Sequence, residues 1–200
     1  RYSRAAHLFL PNLRNNCLPG DMKTISTLGI IVYAKPFFEK DKIIELLTPH
    51  HGKIRCIVKR LYGKKKANTG TFELGNTLQA IIQKGKSFHY INQATLEPHP
   101  AIPYIRREYN KINLLFYYCA IIRSALETNQ PNPEIFALLK HHIQHLAHAT
   151  HIQKCQHAFE TDFLTKEGLL DRNHTQTESF KELYYQYTGK TAPILTIIDT

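Results

Sequence analysis

The sequence predicts a mixed fold, a small β-barrel in the first half followed by an α-helical domain in the second. Three observations predict it. Between residues 22 and 97, short β-branched and apolar runs alternate with turns, in a stretch too short for a large sandwich. Glu97-Pro98-His99-Pro100-Ala101-Ile102-Pro103 then places three prolines in seven residues, and beyond it the apolar spacing changes from two to three and four. The charge divides at the same place. Residues 1–100 hold 16 Lys+Arg against 6 Asp+Glu, whereas residues 101–200 hold 10 of each, so the whole net charge of +10 belongs to the barrel half.

Residues 1–21 precede the first strand pattern. They carry Arg1, Arg4 and Arg14 and an apolar piece, Leu8-Phe9-Leu10, too short for a signal sequence. Because Met22 is the only methionine, they are expected to be an upstream extension, disordered or not native, outside the fold. Thr24–Ala34 is β-branched and apolar, as a strand requires, and Lys35-Pro36 ends it. Phe37–Leu47 suits either a short helix or a strand after a loop. Thr48–Lys53 is a Pro- and Gly-containing turn. Lys53–Leu61 alternates, with Ile54, Cys56 and Val58 on one face and Lys53, Arg55, Ile57 and Lys59 on the other. Tyr62–Thr71 reads as an exposed loop bearing Lys64, Lys65 and Lys66. Leu78–Gln83 and Ser87–Leu96 complete the strands around a Lys84-Gly85-Lys86 turn.

In the second half, Tyr104–Asn129 carries Ile112, Leu115, Phe116, Cys119, Ile122 and Leu126 at helical spacing, and Asn129–Pro133 breaks it. Glu134–Gln156 is expected as a second helix with Ile135, Leu138, Leu139, Ile143 and Leu146 as its stripe. Residues 157–170 and 178–188 suit two more, and such amphipathic helices pack as a bundle. The expected domains are therefore 22–97, the barrel; 98–103, a stiff linker; and 104–200, the helical domain.

Composition narrows the function classes. At 42% hydrophobic and 21% charged, the chain is globular rather than disordered. Cys17, Cys56, Cys119 and Cys155 lie far apart with no C-x-x-C pair, which disfavours a zinc ribbon or redox motif and fits reduced thiols in the cytoplasm. No apolar run reaches the roughly 18 residues that span a bilayer. Gly85-Lys86-Ser87 and Gly189-Lys190-Thr191 match the tail of a phosphate-binding loop, but Ala80 and Tyr184 stand where its first glycine is needed, so both read as turns. His141, His142, His145, His148 and His151 share one expected helix. They lack the glutamate of H-E-x-x-H and read as a polar face, so no metal or other cofactor is expected from them. No Ser-His-Asp, Cys-His or paired-carboxylate arrangement stands out, and the chain reads as a non-enzyme.

The positive signal is cationic. Lys35, Lys53, Arg55, Lys59, Arg60, Lys64, Lys65, Lys66, Lys84 and Lys86 gather on neighbouring strands and turns, with Phe37, Phe38, Tyr62, Phe72, Phe88 and Tyr90 interspersed. Lysine and arginine neutralise phosphates, and exposed aromatics stack on unpaired bases. A small barrel with that surface is the OB type of single-strand binder.

Three segments carry a family resemblance: Gly29-Ile30-Ile31-Val32, Phe38-Glu39-Lys40-Asp41-Lys42-Ile43, and Leu47-Thr48-Pro49-His50-His51-Gly52-Lys53-Ile54. Together they resemble the N-terminal OB domain of the bacterial RecO family. Ile57-Val58-Lys59-Arg60 takes the place of that family's basic strand, with Arg60 where Gly is usual, and Phe72–Asn76 matches the following stretch poorly. In the helical half, Asn132–Leu139 and Phe159–Leu164 with Gly168-Leu169 resemble two of its helices. The resemblance runs over residues 22–190. Many members carry a four-cysteine zinc site whose cysteines this chain lacks, so the resemblance implies no zinc here.

The resemblance implies a DNA-binding recombination mediator in DNA repair. Such a protein anneals complementary strands, binds single- and double-stranded DNA, engages RecR and the single-strand-binding protein, and acts on the RecA filament indirectly. A cytoplasmic, nucleoid-associated place away from membranes follows. The alternative that the basic barrel leaves open is an OB-fold RNA-binding or ribosome-associated protein.

Overall fold

The computed structural model describes residues 24–59, 69–86, 88–97, 101–170 and 179–197. In these residues five strands close into a barrel and five α-helices follow. The strands are β1 (Thr24–Phe37), β2 (Asp41–Thr48), β3 (Gly52–Val58), β4 (Thr77–Gln83) and β5 (His89–Leu96). They join in the order β1-β2-β3-β5-β4, with β3 and β5 parallel and the other neighbours antiparallel. This is the N-terminal OB barrel that the sequence predicts. Phe37–Leu47, which suited helix or strand, supplies β2, because a barrel strand needs an inward and an outward face over its whole length.

Alternation fills the barrel. Ile44, Leu46, Ile54, Cys56, Val58, Leu78, Ala80 and Ile82 meet Ile25 and Ile31 inside, and Phe72 closes the group. Cys56 is one of these inward residues, and burial pushes its thiol up to about 12, the behaviour of an inert core sulfur.

The helices are α1 (Ala101–Ile105), α2 (Tyr109–Ala125), α3 (Pro133–Ala147), α4 (Ile152–Lys166) and α5 (Phe180–Thr188). α1 starts inside the expected linker and buries Ala101, Ile102 and Ile105. The helix expected over 104–129 is divided at Arg106-Arg107-Glu108, three exposed residues with no apolar side chain to hold a buried face. The helix expected over 134–156 also ends early, at Ala147, where the His148 backbone N–H turns back to His145 and Leu146. Reversal there returns Phe159 to stack on Tyr118 at 4.1 Å, which a continuing helix would carry away from the core.

Barrel and helices share one apolar cluster. Ile30, Val32 and Leu47 of the barrel pack with Ile102, Leu114, Leu115, Tyr118 and Ile122. Two glycines mark where the units meet. Gly52 holds φ +67, and a β-carbon there would stand 2.2 Å from the Gln130 carbonyl oxygen. Gly75 holds φ +83 and lies under Leu115 and Ile102. Lysines satisfy the helix ends. Lys53 Nζ donates to the carbonyls of Arg123 and Leu126 at the end of α2, Lys190 Nζ donates to Ser124 O at 2.8 Å, and buried Lys111 donates to Ala147 O at 3.1 Å.

Candidate nucleic-acid interface

Strand register gives the barrel two distinct ends. Phe37 pairs with Asp41 across the β1–β2 turn, Lys42 pairs with Val58, Ile57 with Tyr90, and Tyr90 with Gln83. The β1–β2 turn and the end of β3 therefore emerge at one end, on neighbouring strands about 5 Å apart. The β4–β5 turn lies toward the other end, because Gln83 pairs with Thr24 at the start of β1 and β5 begins beside Cys56 and runs parallel to β3. That other end also carries the β2–β3 turn and Gly52, where the chain after α2 is seated.

Exposed cations lie along the barrel wall from the hairpin tip to the β4–β5 turn. Lys40 lies in the β1–β2 turn, Lys59 follows β3, and Lys84 and Lys86 occupy the β4–β5 turn. Lys35 is exposed on β1 and shares an outward row with Ile43, Ile57 and Tyr90. Aromatic rings stand among them. Lys59 Nζ lies 4.4 Å from the centre of the Tyr90 ring, Phe88 is half-buried beside it, and Phe38 is 79% exposed at the hairpin tip. The Gly85 N–H donates to His89 Nδ1 at 3.3 Å, which closes the β4–β5 turn. Burial, with Lys84 nearby, holds the His89 imidazole below its ordinary pKa, so the turn does not add a cation at neutral pH.

Of the ten basic residues singled out in the sequence, Lys35, Lys59, Lys84 and Lys86 are brought to this wall, Lys35 and Lys59 on its hairpin side and Lys84 and Lys86 at the β4–β5 turn. Arg60, Lys64, Lys65 and Lys66 lie outside the described residues. Lys53 and Arg55 stand elsewhere. The outward face of β3 that carries them is the face on which the helices dock. Lys53 caps α2, and Arg55 donates through Nε to Glu45 Oε1 at 2.9 Å. Arg123 of α2 donates to the other oxygen of Glu45 at 2.8 Å and lies 3.8 Å from the Tyr33 ring centre. Alternation correctly placed both cations outward, but a period-two pattern carries no information on what covers a face.

Two residues at the hairpin end were not among the ten. Lys40 follows Phe37-Phe38-Glu39, a signal visible once that stretch is known to be a hairpin tip. Phe38 was noted only as one of several aromatics. Its φ of 53° has no counterpart in a composition or a period.

The histidine helix divides. His142 is buried and bonds Asp162 Oδ2 at 2.9 Å, which corrects its reading as part of a polar face. Its neighbour Tyr118 and the α4 residue Phe159 enclose the ring. Both phosphate-loop look-alikes are turns: Gly85 lies between β4 and β5, and Gly189 caps α5 at φ 65°.

Comparison with known proteins decides the family. Residues 22–98 match the model described as recombination protein O N terminal, and residues 106–170 match recombination protein O C terminal. The chain belongs to the RecO family. A relative named DNA repair protein RecO from Gloeothece citriformis is 30% identical over 125 residues, covering 62% of this chain and 43% of the relative. The protein of the same name from Clostridium kluyveri is 27% identical over 175 residues, covering 82% of this chain and 65% of the relative. That from Prosthecochloris aestuarii is 25% identical over 124 residues. The chain spans about half the length of the curated relatives it matches. The two matched RecO segments coincide with the barrel and with α2 to α4.

Proposed function

We propose that this RecO-family chain is a DNA-binding repair mediator that works without catalysis of its own. It anneals complementary strands and helps load a recombinase on single-strand gaps. The observation that carries the reading is the line of exposed lysines along the barrel wall, Lys35, Lys59, Lys84 and Lys86, with Lys59 over the Tyr90 ring. The names of the relatives, DNA repair protein RecO, support the same direction. Ammonium groups on this wall replace the counterions of one strand and offset the repulsion of a second, while half-exposed rings receive unpaired bases. Arg60, Lys64, Lys65 and Lys66 follow Lys59 in the chain and add four positive charges to the same connection. RecR and the single-strand-binding protein are the proposed partners, with the RecA filament reached through them.

Strand annealing by the purified protein tests the reading. Complementary oligonucleotides, bare and coated with single-strand-binding protein, are expected to pair faster in its presence at low salt. Annealing rates equal to those without protein, with no DNA binding, would overturn it. A matched RNA pair bound far more tightly than DNA would move the function to RNA.

A further inference from the structure

The tip of the β1–β2 hairpin holds an unusual combination. Phe38 is 79% exposed, and its backbone takes φ 53°, the left-handed region that glycine and asparagine occupy readily and bulky side chains rarely do. A chain folding only for stability would carry Gly or Asn there. The exposed ring is therefore costly twice, in backbone strain and in apolar surface shown to water. Phe37 steadies it, with ring centres 4.3 Å apart and planes at 63°. The base of the hairpin is also held. Lys42 is buried and donates to Phe72 O at 3.0 Å and to Glu73 at 2.6 Å. The ring is thus presented on a fixed turn.

The charges around it say what it meets. Glu39 and Lys40 sit beside it in the turn and Asp41 opens β2, so the tip itself offers phosphate no net attraction. The cations nearest behind the tip are Lys35 on β1 and Lys59, which follows Val58 where β3 pairs with Lys42 at the hairpin base. A backbone lying along those lysines would place its bases, not its phosphates, toward the hairpin. A base paired inside a duplex has both faces covered by its neighbours, whereas an unpaired base presents a free π face.

We propose that Phe38 is a base-stacking residue that makes this barrel end prefer unpaired DNA over duplex. The assignment rests on the DNA-binding reading and adds strand preference to it. The lysines supply attraction common to both forms of DNA, and the Phe38 ring supplies the difference between them.

The chain contains no tryptophan, so Phe38→Trp introduces a single indole reporter at the tip. Binding is followed independently by the anisotropy of a labelled oligonucleotide. On adding a single-stranded oligonucleotide, the indole emission is expected to be quenched in step with the anisotropy. A blunt duplex of the same length should raise the anisotropy with little quenching. Phe38→Leu, which keeps bulk but loses the π face, should bind single strands about tenfold more weakly. Its duplex affinity and the salt dependence of binding should not change. Phe38→Gly should show the same loss with thermal stability equal to or above the parent, an outcome a purely structural phenylalanine does not give. Anisotropy that rises without quenching, or Phe38→Leu binding single strands like the parent, would overturn the inference while leaving DNA binding intact. No anisotropy change with either form of DNA would remove both.

Discussion

Arg123 Nε donates to Glu45 Oε2 at 2.8 Å, and that bond ties α2 to the second strand of the barrel. Glu45 is 3% exposed and receives a second guanidinium, Arg55, through its other oxygen. The row Tyr33, Glu45, Arg55 crosses three strands in register, and Arg123 covers it from the helix side. Burial pushes the Glu45 carboxyl up, but its hydrogen bonds and charge contacts with Arg55 and Arg123 outweigh that, and it is held below the ordinary value of 4.5.

Glu45→Gln is expected to destabilise the fold by about 1–2 kcal/mol in chemical denaturation. That is less than the cost of breaking a fully buried pair, because both guanidiniums stay partly in water and are screened. The sign with pH follows from the lowered value. The carboxylate contributes stability above pH 4.5, and the contribution is lost as pH falls through its lower folded value. The parent should lose stability on acidification below pH 4.5, and Glu45→Gln should lose less over the same interval.

Gly52→Ala should be among the most damaging single changes. The position holds φ +67, and the added carbon would meet the Gln130 backbone at 2.2 Å. A loss of more than about 2 kcal/mol is expected, read as a lowered denaturation midpoint. A variant as stable as the parent would mean that the chain after α2 is not seated on this turn.

His142 gives a pH dependence near neutrality. Burial holds its pKa below the ordinary 6.5 and outweighs the Asp162 carboxylate, which acts to raise it, while His141 and His145 push it further down. Below pH 6.5 the unfolded chain therefore binds more protons here than the folded one, and stability falls with falling pH. Melting temperatures between pH 7.5 and 5.5 should decrease in the parent and decrease less in His142→Gln.

Lys53 separates stability from DNA binding. Lys53→Met keeps the aliphatic stem but leaves the end carbonyls of α2 without their donor. A loss of about 1–2 kcal/mol is expected, with the salt dependence of DNA binding unchanged. A flattened salt dependence would return Lys53 to the DNA surface.

The barrel was legible in the sequence because its two-residue alternation is local. Ile54, Cys56 and Val58 point inward as the pattern requires. The ambiguity at Phe37–Leu47 had a physical origin. Ile43, Ile44, Leu46 and Leu47 are all buried, two facing into the barrel and two out, so the run shows no alternation. The α3–α4 reversal was missed because His148, Thr150 and His151 carry no glycine or proline to announce it. The roles of Lys53 and Arg55 were not legible at all. A lysine that caps a helix 70 residues away and a lysine that meets solvent look alike in one strand. The complete charge asymmetry was nonetheless informative. Arg123 and Lys190 of the neutral half are occupied at the junction, and the exposed lysines of the candidate interface all belong to the barrel.

The central claim is that the barrel wall bearing Lys59, Lys84 and Lys86, not the helix-docking face, holds DNA. It is tested most directly by the salt dependence of single-strand affinity in two variants. Replacing Lys59, Lys84 and Lys86 together by glutamine should reduce the log–log slope by about 2, at about 0.7 per phosphate contact. Replacing Lys53 by methionine and Arg55 by glutamine should leave the slope at the parent value. An unchanged slope in the first variant and a flattened one in the second would contradict the account.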